Sequence, residues 1–413
     1  MPCQPDPSPS PMPSSTIHNV AADSALCVQR VVSSADLAVL ADDWNALADD
    51  IPFRRWEWLE AWWRHCRPAD AELFVLLVRE NDGKLVGVAP WCIRRFALYG
   101  GVISFLGSGM ACSDYMGLLV PSGREDEIAR RVAQWLSSET ADWHALELGG
   151  VDWNDSSVRR LVEALALSGH AVHEAPAPSC WRVSLADGWE PYLASLGKNR
   201  RGRVRQLRRR QFDTGRAVVR SAERLEDLPR GMAILRDLHQ RRRTSLGERG
   251  CFADPTFESF LTEAAERFLL LGRLRLQWIE LEGRPVAVEF ELTGGDTVYY
   301  YQSGIDPAIT EERPGWLGTI AALEWTIAHG YKAFDFLRGD EAYKAHWRAE
   351  PRAMVDIRVV ARRPAATVRH GVWLGRKRAR QWIKRGLEIA GLRKRVDESI
   401  TPGRAASTME APQ

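Results

Sequence analysis

The chain has 413 residues, 45% hydrophobic and 27% charged, with a formal net charge of +2. At roughly 150 residues per domain this predicts two domains, or three, with ample apolar material for their cores. So small a net charge supplies no global field for nucleic-acid binding. The seven cysteines are scattered and form no C-x-x-C pair. That argues against a zinc site or a thioredoxin-like motif and fits free thiols in a reducing cytosol.

The opening MPCQPDPSPSPMPSS has neither the basic n-region nor the apolar h-region of a secretory signal. No apolar run approaches the ~18 residues of a membrane span. A cytoplasmic protein is expected. Residues 1–29 read as a disordered Pro/Ser-rich tail. An N-terminal α/β domain is expected over 30–183. Its helices fall at Leu37–Leu47, Trp58–Trp63, Glu125–Ser137 and Ser156–Leu167. Strands Leu73–Val78 and Leu85–Ile93 form a hairpin about Asn81-Asp82-Gly83, and Ile103–Leu106, Leu118–Val120 and Ala145–Leu148 add short strands. Pro176-Ala-Pro178 reads as a linker.

A second α/β domain is expected over 184–362. A long basic helix runs from Trp189 to about Phe212, then come strand Ala217–Arg220 and helices Leu228–Thr244 and Pro255–Leu271. Strands Leu274–Glu280, Pro285–Leu292 and Val298–Ser303 follow, separated by turns at Gly283 and Gly294-Gly295. Helix Trp316–His329 and strands Ala333–Phe336 and Ala353–Val360 complete it. Both halves place a hairpin after helices, which suggests duplication of topology. Residues 363–413 form a basic tail. Ten Lys/Arg lie between Arg369 and Arg395 against one acid, Glu388, with Trp373 and Trp382 alongside an apolar face. Such a segment suits peripheral contact with an anionic inner membrane through 364–396.

No G-x-G-x-x-G, P-loop, H-E-x-x-H or G-x-S-x-G string occurs. No metal is expected. The chemistry concentrates between Gly283 and Trp347, where two hairpin strands lead to a Pro-Gly helix start, a short FDF strand and G-x-x-x-Y-K-x-x-W. Asp335, in FDF, alternates with its Phe neighbours and suits a buried base with a raised pKa, or a structural ion pair with Arg338 or Lys344. Glu289 and Glu291 share one strand face; either suits a base, and an open solvent face explains both equally. Upstream, Ser113-Asp114-Tyr115 sits on a loop that suits substrate contact or a turn cap. Eight Lys/Arg between Lys198 and Arg210, Arg201 and Arg205 among them, suit an anionic partner or a solvated face.

Together these motifs resemble the BioF2-like acetyltransferase family of the GNAT superfamily. Leu85-Val-Gly-Val-Ala-Pro90, Ser113-Asp114-Tyr115 and the basic helix Lys198–Arg210 extend the resemblance over roughly residues 30–360. It implies two GNAT-like acyl-CoA N-acyltransferase domains in tandem, with mixed sheets flanked by helices. The implied activity is acyl transfer from acetyl-CoA or another acyl-CoA to an amine or hydroxyl of a metabolite or glycan precursor. The CelD-like members imply a setting in cellulose or exopolysaccharide synthesis. Tyr343 is then the general acid for the departing thiolate. Tyr301, Ser303, Pro314 and Gly315 line the donor site. Ser113, Asp114, Tyr115, Arg201, Arg205, Arg338, Lys344 and Trp347 face substrate. The pyrophosphate loop Q/R-x-x-G-x-G/A of ordinary GNATs is absent. A looser likeness to Fem-type peptidyltransferases implies aminoacyl-tRNA as an alternative donor, the one role for nucleic acid. A non-catalytic GNAT-like scaffold at a membrane-bound synthase is the other alternative.

Overall fold

Two stretches of the chain fold with nearly the same order of elements. The computed structural model describes residues 26–138, 142–185 and 188–389. The first stretch begins with β1 (Leu26–Val31), α1 (Ser34–Ala38), α2 (Ala41–Ala46) and α3 (Trp56–His65). It continues through β2 (Ala71–Leu73), β3 (Val75–Glu80), β4 (Leu85–Ala89), β5 (Trp91–Phe96) and β6 (Gly100–Phe105) to α4 (Glu125–Ser137), β7 (Ala145–Asp152), α5 (Ser156–Leu167) and β8 (Ala171–Ser184). The second runs through α6 (Trp189–Ser195), α7 (Lys198–Leu207), β9 (Ala217–Ser221), α8 (Leu228–Ser245), α9 (Pro255–Leu270), β10 (Leu274–Leu281), β11 (Arg284–Gly294) and β12 (Thr297–Ile305). It ends with α10 (Pro314–Ala328), β13 (Ala333–Arg338), α11 (Ala342–His346), β14 (Glu350–Val360) and α12 (Pro364–Ile389).

Local chemistry sets many of these bounds. Helix α4 buries Ile128, Ala129, Val132, Ala133 and Leu136, a one-sided apolar stripe, and carries Glu125, Asp126 and Glu127 in its first turn, where the helix dipole favours acids. Asp155 caps α5 by accepting from the Val158 amide at 3.0 Å. Asp254 caps α9 and Pro255 supplies its first turn.

Eleven strands form one sheet in the order β2-β5-β6-β7-β14-β8-β13-β12-β11-β10-β9, and β1-β3-β4 form a second, three-stranded sheet. Each stretch contains one parallel pair around a crossover helix: β6 with β7 from Val102↔Ala145, and β12 with β13 from Thr297↔Ala333. The stretches then exchange their last strands. β14 inserts between β7 and β8, and β8 inserts between β14 and β13. Neither sheet half can therefore close without the other.

One core cluster joins α3, α9 and the first stretch to one face of the second. Trp58 meets Phe260 edge-on at 4.8 Å and Tyr301 at 4.9 Å. A separate cluster beneath α6, α7 and α10 gathers Val183, Leu193, Val298, Leu317, Phe334 and Phe336.

The α/β class and the helices at 125–137 and 156–167 agree with the sequence reading. Several expectations need correction. Pro176–Pro178 is no linker but lies inside β8, whose ladder to β14 includes Pro176 and Ala177. Residues 26–29 belong to β1 rather than to a tail; residues 1–25 lie outside the described residues. The long basic helix breaks at Leu196-Gly197 into α6 and α7 and widens to a π turn over Arg208–Phe212. Around Leu118–Val120 only a bridge forms, Val88↔Leu119. The hairpin strands are each interrupted, at Phe74 and at Pro90, which lets the ribbon pass from the small sheet to the large one.

Gly304 marks a close approach of α8 to this sheet. A Cβ there would lie 2.6 Å from the His239 backbone nitrogen and 2.8 Å from Leu238 Cβ, both on α8. Gly304→Ala is expected to cost ~1–3 kcal/mol through overpacking against backbone that cannot yield. Chemical denaturation should show the loss; an unchanged midpoint would contradict this packing.

Candidate active site

The parallel strands β12 and β13 pair only at Thr297↔Ala333, Val298↔Phe334 and Tyr299↔Asp335. Beyond that point both strands become irregular. The β11–β12 register slips between Phe290↔Gln302 and Glu291↔Tyr300, so Tyr301 has no partner across the ladder. The β13–β8 register slips between Asp335↔Arg182 and Arg338↔Cys180, and Leu337 lies in the left-handed region at φ 57°. A bulge bends its strand and releases a residue from the ladder. With a bulge in each of these neighbouring strands just past their last pair, the strands part into a cleft. It is lined by Tyr300, Tyr301, Gln302 and Ser303 from β12, by Phe336, Leu337 and Arg338 from β13, and by Cys112, Asp114, Arg243, Tyr343 and Lys344.

Residues from the first stretch hold this parting in place. The Tyr115 hydroxyl donates to Asp335 Oδ2 at 2.5 Å, and the Leu337 amide donates to Asp335 Oδ1 at 2.7 Å. Asp114 accepts from the Arg338 Nε at 2.7 Å and from the Arg338 amide at 3.1 Å. Ser113 accepts from the Trp58 indole at 2.8 Å and donates to the Gly107 carbonyl at 2.8 Å. Burial pushes the Asp335 carboxyl up to about 6, while the Tyr115 and Leu337 donors pull against that rise. Ser113, Asp114 and Tyr115 thus act as a brace. Only Asp114 reaches the cleft wall.

Lys344 is 1% exposed. Its ammonium donates to the carbonyls of Leu337, Arg338 and Gly339 at 3.0, 3.1 and 2.9 Å and pairs with Glu341 at 2.9 Å. With these partners it clamps the loop after β13. Tyr343 lies edge-on to Phe336 at 5.8 Å and lines the cleft. Burial, then the Glu341 charge, raises its phenol well above the ordinary range, so it stays protonated.

Behind Tyr300 lies a buried polar layer. Gln277 donates to Glu289 Oε2 at 3.1 Å, Arg275 pairs with Glu291 at 2.5 Å, and Arg275 also bonds Gln277. The Arg275 guanidinium lies 4.4 Å from the Trp325 ring centroid. Glu289 and Glu291 share a strand face as their spacing requires, but that face is covered by α10 rather than by solvent. A Cβ on Gly318 would clash with Glu289 Oε1 at 1.6 Å. Burial, then the Glu291 charge, pushes the Glu289 carboxyl up to about 8. Glu289 in turn is, after burial, the largest cause raising the Tyr300 phenol, ahead of Tyr343.

The remaining expected site residues lie elsewhere. Pro314 and Gly315 open α10 but are not among the cleft-lining residues. Trp347 is buried core, 5.2 Å from Trp316, and its carbonyl accepts from the Tyr192 hydroxyl at 3.0 Å. Arg201 donates to the carbonyls of Ala194 and Leu196, Arg205 pairs with Glu190, and both line an open groove on α7. Arg243, Gln302, Cys112 and the role of Tyr300 escaped the sequence reading. Arg243 arrives from the last turn of α8 and Cys112 from a left-handed turn at φ 45°. Neither position carries a spacing signal.

The buried Glu289 makes stability depend on pH. Its folded pKa stands above the ordinary 4.5. The protonated carboxyl's contribution is therefore fully present below about pH 4.5 and is lost as pH rises through about 8. Glu289→Gln should flatten that decline in melting temperature. Parallel pH profiles for the two proteins would contradict the burial.

Residues 198–345 match the family described as Acetyltransferase (GNAT) domain. The fold is similar to the crystal structure of FemX, with a TM-score of 0.57, 13% identity, and coverage of 77% of this chain and 95% of that one. It is also similar to a conserved protein of unknown function from Bacteroides thetaiotaomicron, with a TM-score of 0.51, 13% identity, and coverage of 81% and 100%. No curated protein matches the chain. Residues 198–345 thus match a GNAT-type acetyltransferase domain, within a mixed α/β fold of GNAT-like type.

Proposed function

We propose that this protein transfers an acyl group, acetyl in the simplest case, from an acyl-CoA thioester to an amine or hydroxyl of a metabolite or glycan precursor. The observation that carries this reading is the cleft where β12 and β13, each bulged, stop pairing. Acyl transfer needs a polarised carbonyl, a deprotonated acceptor and a protonated leaving thiolate. The Tyr301 amide, released from the β11 ladder, is placed to donate to a carbonyl in the cleft. Tyr343 supplies the proton for the thiolate. In this reading Tyr300, which lines the cleft and whose phenol feels the Glu289 charge, relays the acceptor's proton toward that carboxylate. Asp335 is a positioning residue in this scheme, because Tyr115 and the Leu337 amide engage both of its oxygens.

The donor's phosphates need an anion site. α10 opens on Pro314, which has no amide hydrogen, so its first turn offers fewer donors than a glycine-rich loop. Arg200 makes up the difference. Its guanidinium carbon lies 5.5 Å from the Trp316 ring centroid beside that turn, and its buried Nη1 has no hydrogen-bond partner. These residues fit a pyrophosphate. The cellulose or exopolysaccharide setting rests on the motif resemblance.

Thermal-shift measurements against acyl-CoAs, acyl-carrier proteins and nucleotide sugars test the donor. Stabilisation by acyl-CoA supports the reading. No shift with any acyl-CoA, or transfer only from aminoacyl-tRNA, would overturn it. Tyr343→Phe is expected to lower kcat by ~10²-fold with little change in the donor's KM. In the wild type, kcat/KM should rise with pH through about 8 as Glu289 ionises, and Glu289→Gln should remove that limb. A limb unchanged in the variant would exclude Glu289 as the base.

A further inference from the structure

Helix α12 attaches to the body by one face only. Ala366 and His370 are buried. His370 stacks on His173 at 4.4 Å, and Trp373 stacks on His370 and lies under the Arg358 guanidinium at 4.2 Å. Arg369 donates to the Ala97 carbonyl at 3.2 Å. At 3.6 residues per turn, Val368, Val372, Gly375, Ala379 and Trp382 fall on a single stripe, pointing away from His370. That stripe is open: Val368 is 68% exposed and Trp382 79%, and a Cβ on Gly371 or Gly375 would meet nothing within 4 Å. The apolar side of this helix thus faces outward rather than into the core.

The charges flank it. Arg369 and Arg376 lie along one border of the stripe and Arg378 along the other, and these described turns contain no acid. An aqueous helix gains nothing by exposing valine and tryptophan between arginines. A bilayer surface rewards that arrangement, since the apolar stripe enters the acyl boundary while the guanidinium groups stay at phosphate level. The positive borders select an anionic surface.

We propose that α12 is an interfacial helix that docks the protein on an anionic lipid bilayer through Val368, Val372, Ala379 and Trp382, with Arg376 and Arg378 at the headgroups.

The test is co-sedimentation of the full chain with vesicles of phosphatidylcholine alone or mixed with phosphatidylglycerol. Binding is expected only to the mixed vesicles, and should weaken as salt is raised. Val372→Glu/Trp382→Glu should lower the partition coefficient by about tenfold or more while leaving the melting temperature unchanged, because both side chains are exposed. Absence of binding to the mixed vesicles would overturn the proposal, as would equal binding by the double variant. A salt-insensitive dimer that the double variant dissolves, without vesicle binding, would assign the stripe to a second copy of the chain instead.

Discussion

The hydroxyl of Tyr115 and the carboxylate of Asp335, 2.5 Å apart, join the two halves of the chain at the point where β12 and β13 stop pairing. Asp335 holds the Leu337 amide with its other oxygen, and Leu337 is the residue whose left-handed backbone turns β13 aside. An isolated buried carboxylate costs several kcal/mol or shifts its pKa until it is neutral. Here one of its two donors, Tyr115, comes from the other half of the molecule. The cleft is therefore a property of the assembled pair of halves, and the exchange of β8 and β14 makes that assembly obligatory. Asp114 and Lys344 reinforce the same loop from opposite sides, one through the Arg338 guanidinium and one through three carbonyls.

A second constraint lies beneath the cleft. The layer of Arg275, Gln277, Glu289 and Glu291 is covered by α10, where a Cβ at position 318 would run into the Glu289 carboxylate. A desolvated carboxylate is a poor choice for stability alone. In the proposed reaction it becomes intelligible, since a base with a pKa near the working pH transfers protons efficiently. That reaction would couple stability and reactivity through Glu289.

Much of the fold was readable from pattern. The 3.6-residue stripe of α4, the Asp cap of α5 and the Gly-punctuated strands β10, β11 and β12 all lie where local propensity and tertiary packing agree. Strand β8 was not readable, because its two prolines read as a linker while its actual partners lie far downstream, as in Asp335↔Arg182 and Val360↔Ala171. The site was legible in kind more than in role. Asp114, Tyr301, Ser303, Arg338, Tyr343 and Lys344 do converge on one cleft. Spacing could not distinguish residues that line it from those that brace it, such as Tyr115, nor reveal that Glu289 faces a helix. Trp347 belongs to the aromatic core because its place in the Y-K-x-x-W string puts it after a turn of α11, under Trp316. Arg243 reaches the cleft only through the packing of α8 on β12, which no local pattern encodes.

The central claim is that an acyl thioester occupies the gap between β12 and β13. A crystal structure with acetyl-CoA bound tests it most directly. The account predicts the thioester carbonyl within hydrogen-bonding distance of the Tyr301 amide, the sulfur near the Tyr343 hydroxyl and the pyrophosphate beside Arg200. Density for the ligand between β6 and β7, or on the α7 groove with the β12–β13 cleft left open, would contradict it.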